Sequence, residues 1–211
     1  MTAHHVKEAT QHDESRITDT IVLAFSADPA ARWLYPEPQR YLQHFPAFVR
    51  AFGGQAFACR TAQFTDDARG ASLWLPPGVH PNDEALIELI RGTVPDSEQE
   101  SLLAVFDEMG NYHPDEPHWY LPMIGVDPTQ QRKGHGSALL EHALRICDQD
   151  GIPAYLESSN PSNIPLYRRH GFEMLGTIQI GTSPPITPMV RQRSSSSSRR
   201  PGDGACLGRF Q

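Results

Sequence analysis

Residues 118–149 run from an apolar stretch, HWYLPMIGV, through a polar turn, DPTQQRKGHG, straight into a segment of helical period. A strand that hands the chain to a helix in this way must lay the helix against a sheet. It also leaves the helix N-terminus open beyond the strand end. Pro122 lies inside the strand and cannot donate to a ladder, so the pattern predicts an edge strand or a bulge there. The helix reads to about Gln149 on its apolar period. Leu140, Leu144 and Cys147 share a face with Leu139, Ala143 and Ile146, and Gly151-Ile152-Pro153 stops it.

The rest of the chain alternates between the two periods. HHVKEAT reads as a short first strand. Ile17, Ile21 and Phe25 recur every four residues and predict a helix over 13–27. DPAARWLYPEP reads as a break. Tyr41, Phe45, Phe48 and Phe52 then form one stripe of a second helix, which Gly53-Gly54 is expected to end. QAFACRT and ASLWLPPG read as two strands of a hairpin. Asn82 or Asp83 caps one helix. Ser97 with Glu100 suggests a capping box for another, closed by Gly110. AYLES is a strand, NIPLYRRH a short helix with Gly171 as its C-cap, and FEMLGTIQI and ITPMVR are two final strands. This order predicts an α/β chain with a mixed sheet and helices on both faces. We expect a single domain over 1–190 and a disordered Ser/Arg-rich tail over 191–211.

Composition narrows the function classes. The net charge is −7, yet the tail alone holds five Arg against one Asp, so the body is strongly acidic. That disfavours nucleic-acid binding and mildly favours small cationic partners. No run approaches the roughly 18 apolar residues of a membrane span. The polar start MTAHHVKEATQHDES does not read as a signal peptide. Three widely spaced cysteines, Cys59, Cys147 and Cys206, argue against a disulfide framework and for a reducing cytoplasm.

Gly134-x-Gly136 before a helix points to a phosphate carrier. A P-loop needs Gly-Lys-Ser/Thr, which is absent. A dinucleotide fingerprint needs a third glycine where Leu139 stands, and its glycines directly follow the strand, whereas Asp127–Lys133 intervene here. A loop for the pyrophosphate of coenzyme A fits better. Glycines let the backbone approach the phosphates, free N–H groups point at them, and Arg132 and Lys133 add positive charge.

At these residues the sequence resembles the GNAT superfamily of N-acetyltransferases. Gln131-Arg132-Lys133-Gly134-His135-Gly136 matches one signature, and Asn160, Tyr167 and Gly171-Phe172 match a second. The likeness spans roughly residues 5–190 and is closest to the puromycin-type N-acetyltransferases. It implies a mostly antiparallel, splayed sheet of about seven strands. It also implies acetyl-CoA as acetyl donor, no metal, and direct transfer to a small-molecule primary amine in a ternary complex. An aminonucleoside antibiotic such as puromycin is one candidate acceptor. The oligomeric state stays open between monomer and homodimer. Alternatives are a protein or peptide N-acetyltransferase, a catalytically silent coenzyme A binder and a nicotinamide dinucleotide enzyme.

The reaction needs a neutral amine, a donor to the oxyanion and a fate for the thiolate. The resemblance places the leaving-group acid at Tyr167. A phenol near ~10 protonates a thiol near ~8.5 only uphill, by about 2 kcal/mol, so hydrogen bonding to the thiolate is the milder role. Glu157 is the candidate base, on one strand face with Tyr155 and expected to have a raised pKa on burial. His118 is its rival, and water alone is a third option. The backbone of Ile124, Gly125 and Val126 is implied to hold the thioester end, with the Val126 N–H as oxyanion donor. Gln131, Arg132, Lys133, Gly134, His135, Gly136 and Ser137 form the expected phosphate loop, with His135 fronting the phosphates or solvent. Asn160 and Asn163 both remain candidates for the coenzyme. Trp33 and Tyr35 are candidates to stack on an aromatic acceptor. The histidines, His113 and His142 included, show no metal-ligand spacing.

Overall fold

The computed structural model describes residues 4–193. Seven strands form one sheet: β1 (Val6–Glu8), β2 (Ala62–Thr65), β3 (Gly70–Leu75), β4 (Trp119–Val126), β5 (Ala154–Ser158), β6 (Glu173–Met174) and β7 (Thr187–Arg191). Their spatial order is β1-β2-β3-β4-β5-β7-β6, and every pairing is antiparallel except β4 with β5. The helices are α1 (Glu14–Ala24), α2 (Pro29–Leu34), α3 (Pro38–Gly53), α4 (Gln55–Ala58), α5 (Asp83–Thr93), α6 (Asp96–Tyr112), α7 (His135–Asp150) and α8 (Ile164–Arg169). The tail expected to be disordered lies, from residue 194 onward, outside the described residues.

Strand alternation sends side chains to two cores. Leu73, Leu75, Tyr120 and Tyr155 face Ile17 and Ile21 of α1 and the stripe Tyr41, Phe45, Phe48 and Phe52 of α3. Trp74, Trp119, Leu121, Leu156 and Met189 face Leu140, Leu144 and Cys147 of α7 and Tyr167 of α8. Helices therefore cover both faces, as the periods predicted.

The centre of the sheet carries its main irregularity. Leu75 pairs with Tyr120 and Leu73 with Met123, so β4 contains one more residue than β3 between the two pairs. The extra residue at Leu121-Pro122 is a bulge, and it flips the alternation. Tyr120 and Met123 end on one face, and Leu121 and Ile124 on the other. The bulge expected at Pro122 is present, and the strand is central rather than at an edge. The parallel pairing of β4 with β5 covers only Trp119–Ala154 and Tyr120–Tyr155, after which the two strands diverge.

Four local readings are corrected. DPAARWLYPEP is not a plain break, because Asp28 caps α2 and accepts from the Ala30 and Ala31 N–H groups at 3.0 and 3.1 Å. QAFACRT is helical over Gln55–Ala58. Gly54 sits in the right-handed region (φ −65°, ψ −22°), so it passes the helix on instead of stopping it, and the strand starts at Ala62. In α6, Pro95 is the N-cap with no side-chain capping bond, and the helix runs past Gly110 to Tyr112. Of FEMLGTIQI, only Glu173–Met174 is strand, with one further bridge between Ile178 and Ile186.

Gly125 shows how closely α1 packs on β4: a Cβ there would lie 2.6 Å from the Ala24 Cβ. Gly125→Ala is expected to lower unfolding stability by about 1–3 kcal/mol, the usual effect of overpacking, as measured by urea denaturation against wild type.

Candidate active site

The divergence of β4 and β5 leaves backbone groups of β4 without a strand partner. The Asp127 N–H donates to the Arg69 carbonyl at 2.9 Å, which makes 127 and 69 a hydrogen-bonded pair. Antiparallel ladders alternate. Gly125 and Met123 therefore turn their N–H and C=O groups to β3, while Ile124 and Val126 turn theirs to the side of β5, where the ladder has ended. The same parity points the nitrogen of Pro122 into the gap, so its missing N–H deprives no ladder of a donor. Of the expected triplet Ile124–Val126, Gly125 thus directs its backbone away from the gap and its Cα toward α1.

The gap continues into the loop before α7. Ala138 is the first residue of that segment whose N–H finds a backbone acceptor, the Gly134 carbonyl at 3.0 Å. Among the described residues, no oxygen accepts from the N–H groups of residues 131–137. Gly134 has φ +101°, a left-handed conformation that favours glycine. Gly136 faces α8 closely, where a Cβ would be 3.3 Å from Leu166. Gln131, Arg132 and Lys133 are exposed, and Ser137 lies in the first turn of α7. The Lys133 ammonium folds back to the Thr129 carbonyl (3.0 Å) and the Gln130 side chain (3.1 Å). A row of unengaged amides on a helix N-terminus, with cationic side chains beside it, suits a phosphate group.

His135 departs from expectation. Its side chain is buried, bonded through Nδ1 to the Thr65 hydroxyl at 2.8 Å and stacked on His4 with ring centroids 3.8 Å apart. It fronts neither phosphates nor solvent. The His4 Nε2 lies 2.7 Å from the Lys133 carbonyl, and its Nδ1 lies 2.6 Å from Asp66. Both partners accept, so the two contacts favour hydrogen on both His4 nitrogens, the protonated form of the ring. The Lys133 carbonyl first, and Asp66 second, raise the His4 pKa, and His4 lowers that of Asp66. His4, Asp66 and His135 thereby form a group within 4.8 Å that sequence spacing does not reveal, because three separate segments supply it. With both His4 nitrogens engaged, the cluster acts as a clamp on the loop.

A cleft open to solvent extends from the gap between β4 and β5. Its walls include Phe25, Phe45, Phe48, Phe52 and Phe106 on one side, and Leu121, Pro122, Ile124, Leu156 and Tyr167 on the other. Of the expected site residues, Tyr167, Glu157, Ile124, Asn163 and Trp33 line it together. Tyr35 does not. It is 1 % exposed, its hydroxyl pairs with Thr93 at 2.8 Å, and it packs against His44 in the core. Asn160 is also outside the lining, and its Oδ1 caps the turn that follows by accepting from the Ser162 N–H at 3.0 Å.

Three carboxyl or phenol groups set the electrostatics of the cleft. The Glu157 side chain is 3 % exposed and lies 3.3 Å from the His113 Nε2. The Tyr167 pKa is raised by burial and, secondarily, by the Asp28 charge, so the phenol keeps its proton. Asp28 itself is buried, with a raised pKa. It accepts from the Ser159 hydroxyl at 2.7 Å, tying α2 to the end of β5. Asp28 and Ser159 line the cleft, and the sequence reading passed over both. The only signal for Asp28 was its place before Pro29, where a helix N-cap belongs. Cys147 offers no nucleophile, since burial pushes its thiol up to about 12.

A family model described as the acetyltransferase (GNAT) family matches residues 32–172. An uncharacterized N-acetyltransferase of Schizosaccharomyces pombe is 37 % identical over 86 residues, covering 39 % of this chain and 35 % of that protein. The chain thus spans about a third of the curated relative's length. Among solved structures, a protein described as histone acetyltransferase HPA2 and related acetyltransferase, from Corynebacterium glutamicum, superposes with a TM-score of 0.67. It is 24 % identical and covers 93 % of this chain and 99 % of its own. The polyamine N-acetyltransferase of Drosophila melanogaster, which forms N-acetylagmatine, superposes with a TM-score of 0.65. It is 13 % identical and covers 90 % of this chain and 99 % of its own. At such identities these two likenesses concern the fold.

The His4 clamp makes the loop sensitive to pH. A raised pKa means that its contribution is fully present below the ordinary value of 6.5 and is lost as pH rises through the raised one. Amide hydrogen exchange at residues 133–136, corrected for intrinsic rates, is expected to accelerate across that window. It should lose its pH dependence in His4→Gln, which has no titrating ring to bond the Lys133 carbonyl. A flat profile in the wild-type protein would count against an imidazolium clamp.

Proposed function

The chain belongs to the acetyltransferase (GNAT) family, and from that premise we propose that it transfers acetyl from acetyl-CoA to a primary amine on a small molecule with an aromatic or bulky apolar body. One observation carries this reading. A phenylalanine-walled cleft lined by Ile124, Tyr167 and Glu157 lies at the open backbone edge of β4, from which the chain runs through Val126 into the amide-rich loop at Gly134. Acetyl-CoA supplies the acetyl thioester. The loop amides and the N-terminus of α7 suit its pyrophosphate, and Ile124 and Val126 present N–H and C=O groups to its thioester end. Asn163 lines the same cleft and is placed to contact the coenzyme.

Glu157 removes the proton that keeps the amine from attacking, and its burial keeps bulk water from competing. Tyr167 donates a hydrogen bond where sulfur leaves. A phenol whose pKa lies above its ordinary value is a poorer acid, so hydrogen-bond stabilisation of the thiolate is its chief role. The Val126 N–H faces the gap, where it can donate to a developing oxyanion. Trp33 completes the acceptor wall, its indole N–H held by Thr182 at 3.2 Å. The aromatic lining supports an acceptor with a flat apolar group, and an aminonucleoside such as puromycin meets that description through its aromatic amino-acyl moiety. An extended lysine peptide, the acceptor of a protein acetyltransferase, offers less aromatic surface to these phenylalanine walls. We place the enzyme in the cytoplasm on its cysteine usage. Among the described residues no helix is long and apolar enough to cross a membrane.

A thiol-release assay with acetyl-CoA tests the reading. The amine panel should contain puromycin, an arylalkylamine, agmatine and a lysine peptide. Release with an aromatic amine, well above the peptide, is the expected result. Tight acetyl-CoA binding with no release across the panel would leave a silent binder. Tyr167→Phe should lower kcat at least about tenfold with little change in acetyl-CoA affinity. Gly134→Asp should raise the calorimetric Kd for coenzyme A at least about tenfold, because it adds an anion and a Cβ at a left-handed position.

A further inference from the structure

Behind Glu157 the structure holds a chain of histidines that the transfer reaction as described does not use. The His113 Nε2 is 3.3 Å from the Glu157 Oε1. The His113 Nδ1 is 3.0 Å from the His118 Nε2, and the His118 Nδ1 is 2.9 Å from the Glu116 carbonyl oxygen. Carbonyl oxygens only accept, and this fixes the direction of the chain. His118 must carry hydrogen on Nδ1 to donate to Glu116. As a neutral ring it then has a lone pair on Nε2, which must accept from Nδ1–H of His113. The His113 Nε2 is left facing the carboxylate. When that nitrogen lacks hydrogen, a lone pair opposes an anion, and the arrangement is short of one proton.

We propose that the base for the acceptor amine is the Glu157–His113 pair, which takes up one proton between the carboxylate and the His113 Nε2, with His118 fixing the tautomer that leaves this nitrogen open. The inference rests on the acetyltransferase reading of the cleft. The amine nitrogen forms the bond to the acetyl carbon, the acetyl C–S bond breaks with the coenzyme A thiolate leaving beside the Tyr167 hydroxyl, and the amine N–H bond breaks with its proton going to Glu157 and shared with His113. No oxidant or further reactant enters. His113 and His118 are absent from the cleft lining and act through Glu157, so they are positioning residues.

The surroundings favour this path. The His113 ring is sandwiched between Tyr120 and Tyr155, at centroid distances of 4.6 and 4.4 Å. Burial and the Glu157 charge hold both phenols above their ordinary pKa, so neither competes for the proton as a phenolate. The charged or titratable groups facing the pair are therefore Tyr120 of β4, Tyr155 of β5, and His118, while Tyr112 of α6 faces Tyr155 and His80 faces His118. Burial first lowers the His118 pKa and keeps it neutral, as its acceptor role at Nε2 requires.

Nitrogen-15 NMR of histidine-labelled wild-type protein tests the arrangement without any acceptor. Both rings should keep hydrogen on Nδ1 across the titration, with His113 gaining and losing hydrogen only at Nε2. A neutral His118 with hydrogen on Nε2 would overturn the proposal. In thiol-release kinetics, His113→Gln should lower kcat at least about tenfold with the KM for acetyl-CoA unchanged. Combined with Glu157→Gln it should reduce kcat no further, because the two residues act as a unit. His118→Phe should shift the acidic limb of the pH profile of kcat/KM by about half a unit or more. Additive losses, or an unshifted limb, would also overturn it. Absence of thiol release with every amine in the wild type would remove the acetyltransferase reading and leave the NMR result standing.

Discussion

The site depends on the parting of β4 and β5 after only two residue pairs. A parallel pair is normally buried and continuous, and breaking it exposes backbone groups that need partners. Here the bulge at Leu121-Pro122 turns β4, and the proline at that place leaves one N–H fewer to point into the gap without a strand. Two further residues, Ile124 and Val126, keep their groups directed into it. The gap is thus chemically supplied on one side by main chain and, on the other, by the side chains of β5 and α8. The same divergence admits the cleft between the α3–α6 side and the α7–α8 side of the sheet.

On the proposed function, the two halves of the reaction are built from different materials. The donor half uses backbone: amides of residues 131–137, the left-handed Gly134, and the parity of β4. Its side chains serve mainly to hold the loop, as His4 and Asp66 do through the Lys133 carbonyl. The acceptor half uses side chains drawn from distant segments. Phe45, Phe48 and Phe52 come from α3, Phe106 from α6, Tyr167 from α8 and Glu157 from β5. Stacking along α3, at centroid distances of 5.4 Å between Phe45 and Phe48 and 5.3 Å between Phe48 and Phe52, makes that wall a rigid aromatic ladder.

This division explains what could be read from the sequence. The strand, turn and helix of 118–150 were legible because local period and glycine placement determine them. The face shared by Tyr155 and Glu157 was legible because strand alternation is local too. Helix α4 was misread because Gly53-Gly54 looked like a stop, yet Gly54 is helical and the chain continues into Phe57, which is buried. Tyr35 and Trp33 were indistinguishable as aromatics two residues apart in a proline-rich stretch. Only the turn of α2 sends one to the core and the other to the cleft. His135 was placed at the phosphates by its position in the motif, whereas the preceding Gly134 rotates its side chain inward to Thr65. No spacing in the chain predicts that residues 4, 66 and 135 meet.

The acceptor wall and the base together constrain the substrate more than either does alone. An ammonium ion is strongly hydrated, and bringing it into a phenylalanine-lined cleft requires either a compensating anion or loss of its proton. On the proposed function, Glu157 would meet the first need on entry and, with His113 beside it, the second at the moment of attack. A polyamine would keep further charged nitrogens that the apolar walls cannot serve, while an amine attached to a ring presents one charge to one carboxylate and its carbon surface to the ladder of α3. Asp28, with its oxygens engaged by Ala30, Ala31 and Ser159, is already satisfied and adds little attraction for a second cation. On the proposed function, the charges in the cleft would suit a monocationic aromatic amine better than a chain of cations.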